Sequence, residues 1–585
     1  MTHRASGSDE AEYDLVIRGG TVVDGTGSPA RIADVAIDGG RISAVGGVSG
    51  RGREEVDATG LLVTPGWVDI HTHYDGQATW DSTLTPSSWQ GVTTAVMGNC
   101  GVGFAPVRAD RHDWLIELME GVEDIPGTAL HEGIAWEWET FPEYLDAIDR
   151  RTFAIDIAAQ VPHGPLRGFV MGDRGADHAE VPSAAEIERM GQLAAEAIEA
   201  GALGFSTSRT VVHKSSDGRH TPSLTATSPE LLGIAAAIGA TGKGVFEIVA
   251  DLVDVDAEMA LIREVAEVSG RPLSLSLLQR SGVPADEYLR ILRLMEDAHA
   301  DGVAFHGQAA ARPVGLILTL EGRANPLAVS ATYRGLADLP LGERAAAMRG
   351  PEVRTAILAE MAAMADATGG GVLRAFAHMF ELSDPPQYDR TPDESLAAEA
   401  TRRGVPLAEL VYDALVANDG RGAIYVPIMN FEEGDLGAVR AMLAHPLTVP
   451  GLGDAGAHCT LICDASFPTF MLTYWGRDAP ESQRFPIEWV VQQQCAATAG
   501  LVGLQDRGVL APGYRADINL IDLDRLGVGQ PEMLSDLPAG GRRLVQRAVG
   551  YVATYVAGTL VRSGGELTGA LPGRLVRGPQ DAPAA

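Results

Sequence analysis

The chain has 585 residues and a mass of 61.5 kDa, a length that fits several domains or one large barrel with additions. Its composition, 45% hydrophobic and 21% charged, excludes a disordered or fibrous protein, and no stretch is apolar over the roughly 18 to 20 residues that a membrane helix needs. A net charge of −33 argues against nucleic acid and anionic lipid as partners, because both bind basic surfaces.

Short strands joined by glycine turns are predicted at both ends of the chain. The runs YDLVIR from Tyr13 and IADVAI from Ile32 lie near the start, and ADINLID from Ala516 and YVATYVAGTLV from Tyr551 lie near the end. Two β-rich ends around a different middle predict one small β-sandwich formed by residues 13–65 and 506–563. Residues 564–585 are rich in Gly and Pro and are expected to form an extended tail.

Apolar runs alternate with helical segments through the middle of the chain. Strands are predicted at residues 66–73, 93–100, 154–161, 202–208, 244–250, 272–279, 303–306 and 447–454, and helices between them include 183–200, 259–269 and 286–300. This order predicts an α/β fold, a (β/α)8 TIM-like barrel with seven strands in 66–310 and the eighth, with closing helices, in 446–505. The intervening segment 311–445 is too long for a loop and predicts an inserted, mostly helical subdomain.

The N-terminus and the cysteines predict a cytoplasmic protein. The sequence MTHRASGSDEAEYD lacks the basic and apolar regions of a secretory signal. Four scattered cysteines are too few for a disulfide framework, as is typical of a reducing compartment. The expected partner is a small-molecule substrate, with no nucleic acid and no membrane, and a homo-oligomer is left open.

The segment PGWVDIHTHYD is the strongest local signal for chemistry. Residues two apart on a strand share a face, so His71 and His73 project together. On a barrel strand they meet near the C-terminal mouth, where barrel active sites lie. An isolated His-x-His is a weak signal, but this one ends an apolar strand and is followed by Asp75. We therefore predict that His71 and His73 bind a metal ion, for which imidazole is a common ligand.

Motifs along the whole chain resemble the amidohydrolase superfamily and, within it, the N-acyl-D-amino-acid deacylase (D-aminoacylase) group. They are DLVIRGGTVVDGTG, PGWVDIHTHYD, GVTTAVMGNCGVGFAP, VPHGPLR, EAGALGFSTS, GLGDAGAH and LAPGYRADINLIDLD. The resemblance implies a metal-containing barrel beside a small β-sandwich, zinc as the cofactor with one or two divalent ions, and hydrolysis of the amide of N-acyl amino acids of D configuration by metal-activated water.

The resemblance also implies a site. His71, His73, Cys100 and Asp454 correspond to metal ligands, and Asp454 also to the catalytic carboxylate that takes a proton from water and passes it to the leaving nitrogen. Without the resemblance, the sequence favours Asp454 as a turn residue in Gly-Asp-Ala-Gly, and a single buried cysteine such as Cys100 is more often inert packing.

Two histidines of the family's pattern are missing. The fifth and sixth strands read GVFEIVAD and PLSLSLLQ, which puts Val249 and Leu277 in their positions. Because residues two apart share a face, Glu247 and Gln279 are expected to point into the same cavity. Glu247 is predicted to be a replacement metal ligand or catalytic carboxylate, with an ion pair to a barrel arginine as the alternative. Neither lysine of the chain lies on a predicted strand, so no carboxylated-lysine bridge is expected.

Several polar side chains follow predicted strands and are candidates for binding substrate. Those assigned to this role are Gln279, His306, Arg312 and His458. An arginine suits a substrate carboxylate because its guanidinium binds bidentately, and Arg209 and Arg280 are alternatives to Arg312. His163, in VPHGPLR, is as compatible with a structural role as with a functional one.

Three functions remain open from the sequence. The first is the deacylase just described, a hydrolase of carbon–nitrogen bonds other than peptide bonds. The second is a hydrolase of cyclic amides or other C–N bonds, as in hydantoinase-like relatives. The third is a barrel without catalysis that serves as a binding protein, which the two missing histidines would permit.

Overall fold

The computed structural model describes residues 11–323, 325–367 and 378–584. The first ten residues, on which the prediction about a secretory signal largely rests, and part of the predicted insertion lie outside the described residues. Within the described part of the chain, no helix combines the length and the apolar character needed to cross a membrane.

Strands from both ends of the chain pair in one nine-stranded sheet. The N-terminal strands are β1 (Tyr13–Val22), β2 (Arg31–Asp38), β3 (Arg41–Gly46), β4 (Gly52–Asp57) and β5 (Leu62–Pro65). The other strands of the chain, in order, are β6 (Trp67–Asp69), β7 (Val92–Met97), β8 (Asp156–Pro162), β9 (Gly204–Arg209), β10 (Val245–Ala250), β11 (Leu273–Leu277), β12 (Phe305–Ala309), β13 (Val314–Leu318), β14 (Phe380–Glu381), β15 (Ile424–Met429), β16 (Thr448–Pro450), β17 (Ile518–Ile521), β18 (Gly527–Leu534), β19 (Arg543–Val549), β20 (Tyr551–Val556), β21 (Thr559–Ser563) and β22 (Glu566–Leu567).

The junction between the two ends of the chain is the antiparallel pair β5–β17, in which Val63 lies opposite Leu520. The order of the sheet is β22-β21-β20-β17-β5-β1-β2-β3, and β4 pairs with β1. Alternating side chains such as Ile17, Val35 and Ile518 bury their apolar groups in a shared core. Neither end can therefore complete this sheet without the other.

Eight parallel strands form the barrel, in the order β16-β12-β11-β10-β9-β8-β7-β6. The chain just beyond β6 and β16 closes the ring: Thr72 bridges Ala455, and His73 N donates to Ala455 O at 2.8 Å. All eight strands lie where the apolar runs predict them. The prediction of an α/β TIM-like barrel with an additional β domain is confirmed.

Helices connect the barrel strands and cover their outer faces. Those between β7 and β12 are His112–Glu123, Gly127–Gly133, Phe141–Asp149, His163–Met171, Ala184–Ala200, Ser228–Ala240, Val255–Ser269 and Glu287–Ala300. The longest begins with a capping box, in which Ser183 and Glu186 satisfy each other's backbone N–H groups, and it ends at Gly201 with φ 115°. The three helices predicted from the sequence are confirmed.

The segment between β12 and β16 carries helices and a small sheet of its own. The helices are Ala331–Arg334, Leu341–Met348, Pro351–Ala367, Leu396–Arg403, Leu407–Gly420 and Gly437–Leu443. The first five pack around a separate apolar cluster that includes Tyr333, Met348 and Leu415, and Gly437–Leu443 packs in the barrel core. The sheet, in the order β13-β15-β14, is antiparallel and reaches the mouth of the barrel.

After β16 the chain forms the short helices Phe467–Phe470, Ile487–Gln492 and Thr498–Leu501, and the segment beyond β22 runs in extended form along the barrel. Gly573 bridges Phe153, Leu575 bridges Ile157, and both Leu575 and Val576 are buried. The tail is thus held against the N-terminal side of the strands, at the end of the barrel away from the mouth.

Candidate metal centre and active site

A cavity of about 360 Å³ lies at the C-terminal mouth of the barrel. His71, His73, Cys100 and Asp454 all line it, although they come from three distant parts of the sequence. His71 and His73 follow β6, Cys100 follows β7 and Asp454 follows β16. The cavity therefore lies where active sites of this barrel type are built.

Barrel closure brings the two principal motifs together. Asp454 N donates to His71 O at 3.1 Å, next to the bond between His73 and Ala455. Gly456 adopts φ 96°, and a Cβ atom there would lie 2.8 Å from His73 O. The GDAGAH and HTH segments thus pack backbone against backbone, which requires glycine at position 456.

Ligand atoms of His71, His73 and Cys100 lie within 4.8 Å of one another, and Asp454 approaches the two imidazoles. Cys100 Sγ lies 3.3 Å from His71 Nε2, and Asp454 Oδ1 lies 3.4 Å from His71 Nε2 and 3.7 Å from His73 Nε2. Tetrahedral zinc, with ligands at about 2.0–2.3 Å, separates its ligand atoms by roughly 3.3–3.8 Å. These three distances fall in that range, and the nitrogen, sulfur and oxygen donors suit zinc.

One oxygen among these atoms lacks the partner that burial normally demands. Asp454 Oδ1 is buried and accepts no hydrogen bond. Burial opposes the ionisation of Asp454, yet its contacts with His458 and His73 prevail and hold the pKa of its carboxyl well below the usual value. An anionic oxygen without a hydrogen bond, facing two imidazoles and a thiol, is suited to a cation.

The backbone at the site is strained. Three residues adopt the left-handed region: φ is 54° at Cys100, 47° at Asp454 and 50° at His458. Residues other than glycine rarely adopt this conformation, and when they do they cluster at functional sites. The strain is held by the close packing of the surrounding loops and fixes where the Asp454 and Cys100 side chains point.

Burial controls the protonation of the thiol. The side chain of Cys100 is 7% exposed, and burial, followed by the charge of Glu247, raises the pKa of the thiol well above its usual value. Without a cation, the thiol therefore keeps its proton. A metal ligand must be the thiolate, so Cys100 releases that proton in exchange for the ion.

Gln308, on β12, orients His71. Its Oε1 lies 2.8 Å from His71 Nδ1, and its Nε2 donates to Ser274 Oγ at 2.9 Å. The amide oxygen accepts the proton on Nδ1, which leaves Nε2 of His71 free to face Cys100 and Asp454. Nothing in the local sequence around Gln308 indicates this role, because the contact joins residues that are 237 positions apart.

Replacing Gln308 by leucine is expected to weaken zinc binding about 10–100-fold, because an apolar side chain of similar size cannot hold the tautomer of His71. Competition with a chromophoric chelator measures this affinity. Gln494→Leu is the matched control, since Gln494 is also buried and its Nε2 has no hydrogen-bond partner. Equal zinc affinity in the Gln308→Leu protein and the wild type would show that His71 needs no orienting partner.

Glu123 and His213 are further titratable groups at the cavity, and the sequence did not single them out. Glu123 ends the helix His112–Glu123, and its Oε1 lies 3.3 Å from His73 Nδ1. Burial opposes protonation of His73, but the charges of Glu123 and then Asp454 outweigh it and raise the pKa of His73 to about 9. His213 Nδ1 shares a hydrogen bond with Ser208 Oγ at 3.0 Å. Burial lowers the pKa of His213 to about 4.

Glu247 points into the barrel, as alternation along β10 predicts, but not at the four converging atoms. Its Oε2 accepts from Cys100 N at 2.8 Å, and Ser276 Oγ donates to its Oε1 at 3.4 Å. Its side chain is 1% exposed, and burial raises the pKa of the carboxyl. Glu247 thus positions the Cys100 loop, and no arginine pairs with it among the described residues.

The cavity is apolar where the two missing histidines would stand. Val249 lines it on β10, and on the sixth strand the residues that line it are Ser276 and Leu278. Leu277 is fully buried in the apolar core, so the position assigned to it from the sequence lies on the opposite face of the strand. Within the described residues, His71, His73 and Cys100 form the one group of closely spaced donor atoms that can hold a metal.

His458 lines the cavity, with its Nε2 3.7 Å from Asp454 Oδ2. The structure does not bring the other three predicted substrate-binding residues to the cavity. Gln279 lies two residues beyond the end of β11, and its side chain bonds Ala285 O and the backbone N–H of Glu432. Because the strand has ended, alternation no longer fixes where Gln279 points.

His306 is the second residue of β12, so it lies near the start of the strand, away from the mouth. Arg312 is 1% exposed and donates to Ser466 Oγ and to Asp464 Oδ1, at 3.0 and 3.1 Å. Its guanidinium also lies over the Tyr388 ring at 3.9 Å. The guanidinium is thus enclosed by the protein away from the cavity, where it forms an internal ion pair and does not reach the cavity.

The remaining sequence candidates divide between structure and cavity. His163 is fully buried between Thr207 and Glu230, and Arg209 forms a bidentate pair with Glu258. Arg280 does line the cavity, where it donates to Leu252 O and pairs with Glu287.

Comparison with known proteins gives a consistent result. D-aminoacylase of Alcaligenes xylosoxydans xylosoxydans is 28% identical over 574 residues, which cover 98% of this chain and 99% of the relative. N-acyl-D-aspartate deacylase of the same organism is 36% identical over 209 residues, 35% of this chain and 39% of the relative. A solved D-aminoacylase, described as having a binuclear metal center with one-metal activation and second-metal attenuation, superposes with a TM-score of 0.64 at 25% identity, over 97% of this chain and 100% of that one.

The amidohydrolase family matches residues 54–562, which span the barrel and the part of the β domain from β5 to β20. With the HTH motif, Cys100 and Asp454 converging at the mouth of that barrel, the match has a structural basis. The chain belongs to the amidohydrolase family, is D-aminoacylase-like, and is a hydrolase of carbon–nitrogen bonds other than peptide bonds.

Proposed function

We propose that this protein is a metal-dependent deacylase that cleaves the amide of N-acyl-D-amino acids. The observation that carries the proposal is the close spacing of the donor atoms of His71, His73 and Cys100, with Asp454 Oδ1 beside both imidazoles and buried without a hydrogen bond. The D-aminoacylase relatives, which match over nearly the whole chain, support the substrate class.

We assign His71, His73, Cys100 and Asp454 as ligands of a single ion, for which zinc suits the nitrogen, sulfur and oxygen donors. A divalent ion held there supplies a Lewis acid that polarises the amide carbonyl and lowers the pKa of water toward neutrality. Glu247 is not assigned as a ligand, because both of its oxygens are engaged by Cys100 and Ser276.

Asp454 is the residue suited to moving the proton. Its low pKa keeps it ionised at neutral pH, so it can accept a proton from the attacking water. Its Oδ2 also faces His458 at 3.7 Å, on the open side of the cavity. Asp454 then passes the proton to the nitrogen that leaves as the free amine, and His458 holds the carboxylate in place.

The proposal is tested by assaying the zinc-loaded protein with N-acetyl-D-amino acids, their L enantiomers, hydantoin and dihydrouracil. We expect release of the free D-amino acid, with the L enantiomer cleaved at least about tenfold more slowly, since a fixed site rarely accommodates both hands equally. Faster cleavage of the cyclic amides would favour the hydantoinase-like alternative. No hydrolysis of any of these compounds by the zinc-loaded protein would favour the binding protein.

A further inference from the structure

The walls of the cavity above the metal centre are apolar on two sides. Barrel loops contribute one side, and the sheet of the inserted segment contributes the other through β13 and β15 and the turns beside them. The apolar lining residues include Val122, Val212, Val249 and Leu278 from the barrel, and Leu316 and Ile428 from the inserted sheet. An apolar wall of this extent gains free energy by removing an apolar ligand from water.

The apolar surface continues outside the cavity over its rim. Val211 and Val212 follow β9, and Val253 follows β10, and their side chains are 51%, 66% and 89% exposed. The carboxylate of Asp251 joins the two loops, since it accepts from Thr210 Oγ1 and, at 2.8 Å, from Val211 N. Val212 lines the cavity, and Val211 and Val253 are the chain neighbours of the lining residues Val212 and Leu252, so exposed valines flank the cavity where a polar surface would otherwise be expected.

Building on the proposed deacylase function, we propose that the acyl group of the substrate is a long unbranched alkyl chain, which runs from the metal centre between the apolar walls and out over Val211, Val212 and Val253. The scissile carbonyl carbon must lie at the metal centre, so the acyl chain starts on the cavity floor. An acyl chain of about eight carbons is longer than the side chain of a common apolar amino acid, so it is the part of the substrate that can extend from the metal centre past the cavity wall to the exposed valines. An occupant of that length accounts for apolar residues both inside and outside the cavity.

The charged residues at the cavity agree with an apolar occupant. Arg280 is turned toward Leu252 O and Glu287, and Arg323 pairs with Asp124 at 2.8 Å. Among the described residues, these two are the arginines that line the cavity, no lysine lines it, and both arginines are already paired. An acidic acyl group, such as a succinyl or glutaryl chain, would find no unpaired arginine or lysine along the wall.

The first experiment measures kcat/KM for one D-amino acid that carries acetyl, butanoyl, hexanoyl, octanoyl or decanoyl groups, each below the concentration at which it aggregates. Burying a methylene favours binding by an amount equivalent to about a fourfold increase in kcat/KM. We expect kcat/KM to rise by about that factor per methylene until the chain passes the rim. A series that is flat or falls beyond acetyl would overturn the inference, as would a stronger dependence on the amino-acid side chain than on the acyl chain.

The second experiment tests the rim. Val212→Asp and Val253→Asp are expected to lower the ratio of kcat/KM for the decanoyl substrate to that for the acetyl substrate about tenfold or more, since a charge replaces apolar contact at the end of the chain. Val181→Asp is the matched control, because Val181 is 61% exposed at the surface and does not line the cavity. An unchanged ratio in both rim variants would contradict the path of the chain. If the acetyl substrate is hydrolysed without a preference for longer chains, only this inference fails; if no N-acyl amino acid is hydrolysed, the proposed function fails with it.

Discussion

Replacing Asp454 by asparagine is expected to lower kcat/KM for an N-acyl-D-amino acid by at least about a thousandfold. Asparagine keeps the size of the side chain and one oxygen, but its amide cannot accept a proton from water. The contact of Asp454 Oδ1 with His71 Nε2, at 3.4 Å, and the bond from Asp454 N to His71 O both place this residue at the reacting centre. We expect the decrease in kcat/KM to come from a lower kcat with little change in KM, because proton transfer is a step of the reaction and not of binding.

The same preparation of Asp454→Asn supplies its own controls. Bound zinc, measured by mass spectrometry, and the thermal unfolding midpoint show whether the protein is folded and loaded when its activity is measured. Asp251→Asn is a second control: Asp251 also lines the cavity, but its oxygens are used by Thr210 and Val211. A loaded Asp454→Asn protein with a wild-type kcat would remove Asp454 from the catalytic role.

Replacing Arg312 by methionine is expected to lower the free energy of unfolding by about 3–5 kcal/mol, since it leaves a buried carboxylate without its counter-ion. Asp464 is 3% exposed, and burial, opposed in part by Arg312, raises the pKa of its carboxyl to about 7. The guanidinium also contacts the Tyr388 and Phe467 rings, with distances of 3.9 and 4.9 Å to the centroids. The substitution therefore removes both the ion pair with Asp464 and the contacts between the guanidinium and the two rings.

Urea unfolding followed by circular dichroism measures this effect. Arg323→Met is the matched control, because Arg323 forms an ion pair with Asp124 while its side chain is 65% exposed, and such a pair contributes about 1 kcal/mol or less. Equal destabilisation by the two substitutions would mean that burial of the Arg312–Asp464 pair has no special consequence. A normal free energy of unfolding with lost activity would instead return Arg312 to a role in substrate binding.

Much of the barrel can be predicted from the sequence because each strand is a short apolar run bounded by turns. The pairing of β6 through β12 with β16 then follows from the order of elements along the chain. The convergence of His71, His73 and Asp454 follows in turn, since residues at the carboxyl ends of barrel strands share one mouth. These predictions rest on local periodicity and on topology, and both act over whole elements.

The predictions that depend on the exact end of a strand are the ones the structure does not support. Alternation along the predicted strand 272–279 puts Gln279 on its inner face, but β11 ends at Leu277. Beyond that end the chain turns toward Asn430, whose Oδ1 accepts a hydrogen bond from Gln279 N at 2.7 Å. His306 was placed at the end of a strand that in fact begins at Phe305. A shift of two or three residues at a strand end moves a side chain to the other face or the other end of the barrel.

Residues that act through contacts between distant elements gave no signal in the sequence. Gln308 is one amide in an apolar strand, and Glu123 is the last residue of an ordinary amphipathic helix. Their roles depend on which ring nitrogen of His71 or His73 they face, and only the assembled barrel determines that. A buried amide or carboxylate on the inner face of a barrel strand or next to its mouth is the feature that could have directed attention to them.

The apolar character of Val249 and Leu278 bears on how many ions the site takes. The carboxylates nearest to them are already engaged: Asp251 accepts from Thr210 Oγ1 and Val211 N, and Glu247 accepts from Cys100 N at 2.8 Å. We therefore expect a single ion in this chain, in contrast to the binuclear center described for the solved D-aminoacylase.

Anomalous scattering from crystals of the zinc-loaded, active protein, measured at the zinc absorption edge, tests this central claim most directly. We expect one anomalous peak at the mouth of the barrel, within about 2.0–2.3 Å of the proposed ligand atoms His71 Nε2, His73 Nε2, Cys100 Sγ and Asp454 Oδ1. A second peak of similar height beside Val249, or an active crystal with no peak among these four atoms, would contradict it.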